Sequence, residues 1–171
     1  MSKIEFPTQL CHFIEKQKHY AEHGYFATGK RIRLPQRFSE HVLSQALPIH
    51  TWTFWQWLKL RLSGTKIKLQ PLLRIPGEKW RKRKKRSLRG AYGFSLAVWK
   101  TDFKAINGFE ELYQGYGYED TDFFIRLLRS GTLRKEVKYA APVFHIWHPE
   151  VDRSLYSTNK ERLDNLFNNQ K

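Results

Sequence analysis

Residues 107–131 read NGFEELYQGYGYEDTDFFIRLLRSG, the most informative stretch of the chain. A glycine-rich aromatic turn, YQGYGY at 113–118, leads directly into the acidic sequence EDTD at 119–122. The residues that follow, FFIRLL at 123–128, repeat apolar side chains at helical spacing, and Gly131 ends the pattern. The stretch therefore predicts an aromatic turn that places a cluster of carboxylates at the start of an amphipathic helix.

The carboxylates in the first turn of this helix, which we expect to open at Asp120 or Thr121, allow two interpretations. Acidic residues at that position commonly do no more than complement the helix dipole. Here, however, glycines allow a tight bend and tyrosines offer flat surfaces for stacking on sugar rings. A helix N-terminus also holds a carboxylate in a fixed position, as a general base requires. The second interpretation is therefore a polyol-binding site that removes a hydroxyl proton.

The whole chain is strongly basic, with a formal net charge of +15 over 171 residues. This length predicts one domain or a piece of one, and 40% hydrophobic residues are enough for a folded core. The charge predicts an anionic partner, for which nucleic acid, anionic lipid and phosphorylated glycans all fit. The single cysteine, Cys11, excludes an internal disulfide framework and indicates a reducing compartment. We expect neither a signal peptide nor a membrane span, because no apolar run is long enough.

Residues 40–88 form a tryptophan-rich and polybasic insert. Its sequence TWTFWQWLKLRL at 51–62 fits an amphipathic core helix or an interfacial segment, since Trp beside Lys and Arg favours the lipid headgroup zone. The run EKWRKRKKR at 78–86 fits a solvated loop, or a segment attracted to anionic lipid. A nucleic-acid patch is the weakest interpretation of this run, because no nucleic-acid-binding module accompanies it.

The rest of the chain alternates helical and strand-like patterns, which predicts an α/β fold. The predicted elements are a helix over 7–23, a strand over 25–34 interrupted at Gly29, a strand over 90–98, a helix over 99–106 closed by Asn107 and Gly108, a strand over 138–147 that Pro142 restricts to an edge or entry position, and a C-terminal helix introduced by the capping-box spacing of Thr158 and Glu161.

His145 and His148 lie at the end of the last predicted strand. They would point to opposite faces of a strand, whereas a turn at Trp147 could bring them together. Imidazole is a common ligand for ions such as Mn²⁺ and Zn²⁺, but two histidines cannot close a metal site without a further carboxylate. A metal contact, a phosphate contact and a structural role all remain open.

Taken together, these motifs resemble the C-terminal, acceptor-side half of GT-A-fold family 2 glycosyltransferases with a galactosyltransferase-type C-terminal domain. The motif region spans 89–150, and a fainter match extends upstream over 13–34. The matching segments, in order, are GFSLA at 93–97, WKTD at 99–102, NGFEE at 107–111, GYGYEDTD at 115–122, RL at 126–127 and VFHIWH at 143–148.

The resemblance implies a partial GT-A fold, the Rossmann-like architecture of nucleotide-diphospho-sugar transferases, as a single domain over 1–171. It also implies that most of the N-terminal donor-binding half, with its D-x-D motif, is absent. The D-x-D that the chain does contain, at 120–122, belongs to the acceptor motif. On this reading the chain is a truncated gene, a fragment or one half of a split protein.

The activity implied by the resemblance is inverting, metal-assisted transfer of a hexose or N-acetylhexosamine from a nucleotide sugar to a glycan or glycolipid, as in polysaccharide or lipopolysaccharide synthesis. Asp120 would be the catalytic base. A divalent ion, Mn²⁺ or Mg²⁺, would be held by His148 or His145. The other implied roles are acceptor binding by Glu119, Tyr116, Gly117, Tyr118 and Asp122, and substrate contact by Gly93 and Ser95.

A function of another class also fits the sequence. The chain could be a non-catalytic remnant that binds glycan or anionic membrane through its basic face. With either function, we expect the protein to be cytoplasmic. If the insert docks on lipid, we expect it to be peripheral on the inner face of the plasma membrane. Nucleic acid is the least favoured partner, because charge alone supports it.

Overall fold

The fold is mixed α/β, as the sequence predicts, in a computed structural model that describes residues 7–72, 75 and 77–168. The side chains of residues 7–12, 71 and 167 lie outside that description, and so do the predictions that involve Cys11 and residues 73, 74 and 76 of the insert. In chain order the elements are α1 (Pro7–Tyr20), β1 (Tyr25–Thr28), β2 (Arg31–Arg33), α2 (Gln36–Ser44), α3 (Phe54–Leu62), β3 (Leu96–Ala97), α4 (Lys100–Ala105), α5 (Glu119–Arg129), β4 (Leu133–Glu136), β5 (Val143–His145) and α6 (Tyr156–Asn168).

The strands form two small sheets. In the first, β1 lies between β3, to which it is antiparallel, and β4, to which it is parallel. In the second, β2 runs parallel to β5. The predicted interruption at Gly29 is confirmed, since this residue separates β1 from β2. A Cβ at Gly29 would lie 2.1 Å from the Oγ and 2.9 Å from the Cβ of Ser95, so the close approach of this buried side chain favours glycine there.

The predicted strands over 90–98 and 138–147 are largely wrong. Within 90–98, only Leu96–Ala97 pairs with β1, and residues 93–95 form a 3-10 turn. The backbone turns because the N–H of Gly93 donates to a side chain of α5 and not to a neighbouring strand. Within 138–147, only Val143–His145 is a strand, and Pro142 stands at its entry as predicted.

Residues in the neighbouring turns set the end of α4 and the start of α6. The residues that close α4, Asn107 and Gly108, have φ of 60° and 69°, which confirms the predicted C-terminal turn. The capping-box interpretation of Thr158 is wrong, because α6 begins two residues earlier, at Tyr156. The chain turns into this helix at Asp152, whose carboxylate accepts from the N–H and Oγ of Ser154.

Among the described residues, buried apolar side chains form three clusters, and the two larger ones hold the insert and α5 on the sheets. One joins β2 to the insert, where Trp57 is 1% exposed and stacks on Phe144 with 5.0 Å between ring centroids. The insert therefore packs on the fold through Trp57, in line with the core-helix interpretation of 51–62, while Trp55 and Leu62 of the same segment are exposed. In the other core, Phe26 of β1 packs against Phe123 and Phe124, which fixes α5 on the three-stranded sheet.

The polybasic run is only partly a solvated loop. Arg81 is 1% exposed and donates to the carbonyl oxygens of Glu136 and Ile75 at 3.1 and 3.0 Å. Its guanidinium also lies 4.2 Å from the ring centroid of Tyr20. Residues 83–86 are exposed, as expected for a solvated run. Within the described part of the chain, no helix is long and apolar enough to cross a membrane.

Candidate active site

The acidic sequence occupies the first turn of α5 because the preceding turn bends sharply. Gly115 and Gly117 have φ of 69° and 112°, and Tyr118 adopts the left-handed conformation with φ of 74°. The N–H of Asp122 then donates to the carbonyl of Tyr118 at 2.9 Å, which closes the first helical bond. The helix starts at Glu119, one or two residues before the predicted start at Asp120 or Thr121, so all three carboxylates lie in its first turn.

Asp120 is held by the backbone of the 3-10 turn before β3. Its Oδ2 accepts from the N–H of Gly93 at 2.7 Å, and the side chain remains half-buried. A Cβ at Gly93 would lie 2.0 Å from the Oδ1 of Asp120. Glycine at this position therefore serves the close approach of the carboxylate. A direct contact of Gly93 with substrate stays a prediction.

Glu119 folds back onto the turn that precedes it. Its Oε2 accepts from the N–H of Gly117 at 3.0 Å. Gly117 is buried, and a Cβ there would lie 2.8 Å from Cδ2 of Tyr156. The backbone of this turn is thus confined between the carboxylate of Glu119 and a ring from α6.

The tyrosines of the turn have different surroundings. Tyr116 is 43% exposed, and its ring is near parallel to that of Tyr156, with 6.4 Å between centroids. The hydroxyl of Tyr118 lies 2.9 Å from that of Tyr156, and this hydrogen bond raises the pKa of Tyr118. Burial raises the pKa of Tyr113 to about 12. Tyr116 is therefore the most exposed tyrosine of the turn, and its stacking on a sugar stays a prediction.

Sequence reasoning missed the contribution of α6. Asn159 is 2% exposed, and its Nδ2 donates to the carbonyl oxygens of Gln114 and Tyr116 at 2.9 and 3.4 Å. With Tyr156, it braces the aromatic turn from about forty residues away in sequence. No local pattern could have signalled these contacts, because they depend on how α6 docks.

Asp122 points away from the turn and into the protein. It is 3% exposed, its Oδ2 accepts from Nε of Arg126 at 2.7 Å, and Nη2 of Arg126 forms an ion pair with the same oxygen at 2.6 Å. Arg126 also donates to the carbonyl oxygens of Ile106 and Gly108, both at 2.7 Å. These contacts give Asp122 a structural role that ties α5 to the end of α4. Its role as an acceptor ligand stays a prediction.

Ser95 is also placed for packing. It is 2% exposed, and its Oγ donates to the carbonyl of Ala141 at 3.5 Å. The carbonyl of Ser95 accepts from the N–H of Gly29 at 2.7 Å. This burial favours a structural role, and substrate contact by Ser95 stays a prediction.

The close approach at Gly93 makes a testable prediction. In Gly93→Ala, the new methyl group would overlap the Asp120 carboxylate and displace it from the Gly93 N–H. If Asp120 is the base, transfer should fall by about 10²-fold, since a general base needs hydrogen-bond reach of its proton. Thermal unfolding should change little, because the side chain of Asp120 can rotate. Gly24→Ala is the control: its φ of 77° is unfavourable for alanine, but nothing lies within 4 Å of the added Cβ. Equal activity of the two variants would contradict the prediction.

The structure brings the two histidines together. Their ring centroids are 5.0 Å apart, and Nδ1 of His148 lies 2.8 Å from the carbonyl of Pro149. Burial, together with the charges of Arg31, His148 and Arg33, lowers the pKa of His145. Among the described residues, no group of three or more metal-ligating side chains could hold an ion. Two imidazoles beside two arginines do not by themselves fit a divalent cation, so we derive no step through a metal.

A comparison with known protein families matches the part of the chain that contains this candidate site. A family model described as the N-terminal domain of galactosyltransferase matches residues 79–149, less than half of the 171-residue chain. The matched segment includes the Gly93 turn, the first turn of α5 and both histidines. It supports a galactosyltransferase-type domain and a glycosyltransferase-type function. No curated protein and no solved structure matches the chain.

Proposed function

We propose that this chain supplies the acceptor side of a family 2 glycosyltransferase site with a partial GT-A fold, with Asp120 as the catalytic base. The main support for this proposal is the position of the Asp120 carboxylate. It is half-buried at the start of α5 and accepts from the Gly93 N–H at 2.7 Å. The substrates are a nucleotide sugar and a glycan or glycolipid. The matched family supports this class of reaction.

The reaction would proceed by direct displacement with inversion. One oxygen of Asp120 takes the proton from an acceptor hydroxyl while the hydroxyl oxygen attacks the anomeric carbon of the donor sugar. A new C–O bond forms to the acceptor, and the C–O bond to the nucleoside diphosphate breaks, so the diphosphate leaves with the bonding electrons. Because Oδ2 is bound to the Gly93 N–H, Oδ1 is the oxygen left to take the proton.

The acceptor would lie against the aromatic turn. Tyr116, 43% exposed, would stack on a sugar ring, as flat amphipathic side chains commonly do. Glu119 uses one oxygen on the Gly117 N–H, which leaves the other to accept from a sugar hydroxyl. Gly117 and Tyr118 shape this surface through their backbone. The hexose or N-acetylhexosamine donor and the polysaccharide or lipopolysaccharide product remain parts of the proposal.

The test of this function is acceptor-dependent transfer. The chain would be incubated with a panel of nucleotide sugars, with and without glycan acceptors, and both nucleoside diphosphate release and glycan extension would be measured. Extension that depends on Asp120 and Tyr116 supports the proposal. Release that does not depend on the acceptor would show hydrolysis and contradict the assigned acceptor site.

A second candidate function, docking on anionic membrane, rests on a different surface. Trp55 and Leu62 of α3 are 73% and 77% exposed and lie seven residues apart, on the same helix face. Lys59 is exposed between them, four residues after Trp55. An exposed Trp and Leu beside a basic residue suit the lipid headgroup zone, where the net charge of +15 would add attraction to anionic lipid.

We predict that the chain floats with vesicles of anionic phospholipid at low salt and less so at high salt, because salt screens the charge attraction. Leu62→Ala should reduce the bound fraction several-fold. Leu43→Ala, which removes an equally exposed leucine (65%) from α2, is the matched control and should bind like the unmodified chain. Absence of binding at either salt concentration would eliminate membrane docking, and with it the proposed position on the inner face of the plasma membrane.

A further inference from the structure

One face of the β2–β5 sheet carries three basic side chains. Arg33 pairs with His145 in the strand register, so their side chains share a face. Arg31 lies two residues before Arg33 and therefore points to the same side. Ile32 and Phe144, which alternate with them, point to the opposite side and into the core with the insert. The alternation of the strands thus places Ile32 and Phe144 inward and the three basic residues outward, together with Val143.

The charge on this face is not balanced by nearby acid. Within the part of the chain that the structure describes, none of Arg31, Arg33 and His145 forms an ion pair with a carboxylate. Burial and the charge of Arg33 lower the pKa of Arg31. The positive charges of Arg31 and Arg33 are close together, and Arg31 is partly desolvated. Binding of an anion would therefore be favourable, because it would neutralise them.

This face adjoins the Asp120 carboxylate. The guanidinium carbon of Arg31 lies 4.6 Å from the ring centroid of Phe94. Phe94 directly follows Gly93, whose N–H holds Asp120 at 2.7 Å. The basic face and the proposed base are therefore linked through the Gly93–Phe94 segment.

We infer that the face formed by Arg31, Arg33 and His145, here called the phosphate face, binds a phosphate group of a substrate at the Asp120 site. This inference deepens the proposed function, because it names the chemistry of a ligand there. A guanidinium presents a planar fork of N–H donors that matches phosphate oxygens in pairs. Imidazole N–H groups from His145 and His148, whose rings are 5.0 Å apart, can add further donors.

Two sources of phosphate fit this chemistry. The phosphate face could hold the diphosphate of the nucleotide sugar, where it would stabilise charge on the leaving group. It could instead hold a phosphate carried by the acceptor glycan. In both cases two arginines supply the positive charge that a divalent ion would supply in a metal-containing site. The same two histidines, for which a metal or a phosphate contact was open from sequence, then contact phosphate.

The experiment is calorimetric titration of the whole chain, without divalent ions, with pyrophosphate in one arm and glucose 6-phosphate in the other. The test variant is Arg31→Gln/Arg33→Gln. The control is Lys100→Gln/Lys104→Gln, which removes two positive charges from exposed positions on α4. Circular dichroism and thermal unfolding check that each variant folds.

We expect the test variant to bind at least tenfold more weakly than the unmodified chain, and the control to change less than twofold. Tighter binding of pyrophosphate identifies the leaving diphosphate as the source, and tighter binding of glucose 6-phosphate identifies a phosphorylated acceptor. Equal weakening in both variants, or no binding by the unmodified chain at millimolar concentration, overturns the inference. In the NMR spectrum, the ring signals of His145 should shift with the tighter ligand.

This result is separable from the proposed transfer. Asp120→Asn should retain phosphate binding, because the phosphate face does not include that carboxylate. Phosphate binding that depends on Arg31 and Arg33, in a chain without transferase activity, would remove the proposed function and leave this site. Transfer that persists in Arg31→Gln/Arg33→Gln with an unchanged KM for donor and acceptor would remove this site and leave the function.

Discussion

Asp120→Asn is expected to lower the initial rate of glycan transfer by about 10²- to 10⁴-fold, the range that a positioned general base contributes. The amide is similar in size to the carboxylate, and its oxygen can still accept from the Gly93 N–H. The site geometry should therefore persist while the capacity to take a proton is lost. Donor and phosphate binding should be unchanged. Glycan extension over time, at saturating donor and acceptor, measures the effect.

The control for this substitution is Glu161→Gln, which changes an exposed carboxylate of α6 to an amide in the same way. It should leave the rate within twofold. Turnover by Asp120→Asn at more than about a tenth of the unmodified rate would exclude Asp120 as the base. Glu119→Gln distinguishes the role of Glu119 from that of Asp120. If Glu119 binds the acceptor, this variant should raise the KM for acceptor more than it lowers kcat.

Asp122→Ala is expected to lower the free energy of unfolding by about 3 to 5 kcal/mol, the usual cost of removing one partner of a buried ion pair. The substitution would leave the Arg126 guanidinium without its carboxylate, although it still donates to Ile106 and Gly108. The structural reason is that Asp122 is 3% exposed and bonds Arg126 at 2.7 and 2.6 Å. Urea denaturation followed by circular dichroism measures the loss.

Asp164→Ala, which removes an exposed carboxylate from α6, should change stability by no more than about 0.5 kcal/mol. The double variant Asp122→Ala/Arg126→Ala should be destabilised by less than the sum of its single variants, because the pair is lost only once. A change below 1 kcal/mol in Asp122→Ala would show that this ion pair does not stabilise the fold. It would also reopen the acceptor-binding role of Asp122.

Local patterns predicted the elements whose causes are local. The aromatic turn and the acidic first turn of α5 follow from Gly115, Gly117 and the apolar spacing after them. The closure of α4 at Asn107 and Gly108 was equally predictable, because glycine and asparagine adopt positive φ at low cost. The strands over 90–98 and 138–147 were overestimated, because apolar runs do not reveal where pairing stops.

The roles of individual side chains needed the tertiary structure. Asp120 and Asp122 are two residues apart in one acidic sequence, yet one lies half-buried at the site and the other pairs with Arg126 inside the protein. Helical geometry points them in different directions, but only the docking of α5 on the sheet decides which direction is the interior. Tyr156 and Asn159 entered the site for the same reason, through the packing of α6.

The sequence by itself determined the α/β class, the carboxylate cluster at a helix start and the excess of positive charge, because composition and short-range spacing are sufficient for these. Tertiary structure alone decided that the Gly93 N–H holds Asp120, that Asp122 is structural, and that Arg31, Arg33 and His145 share one face. These facts depend on strand register and helix docking between segments distant in sequence. The acidic residues of 119–122 thus have different roles because the fold gives each carboxylate its own partner.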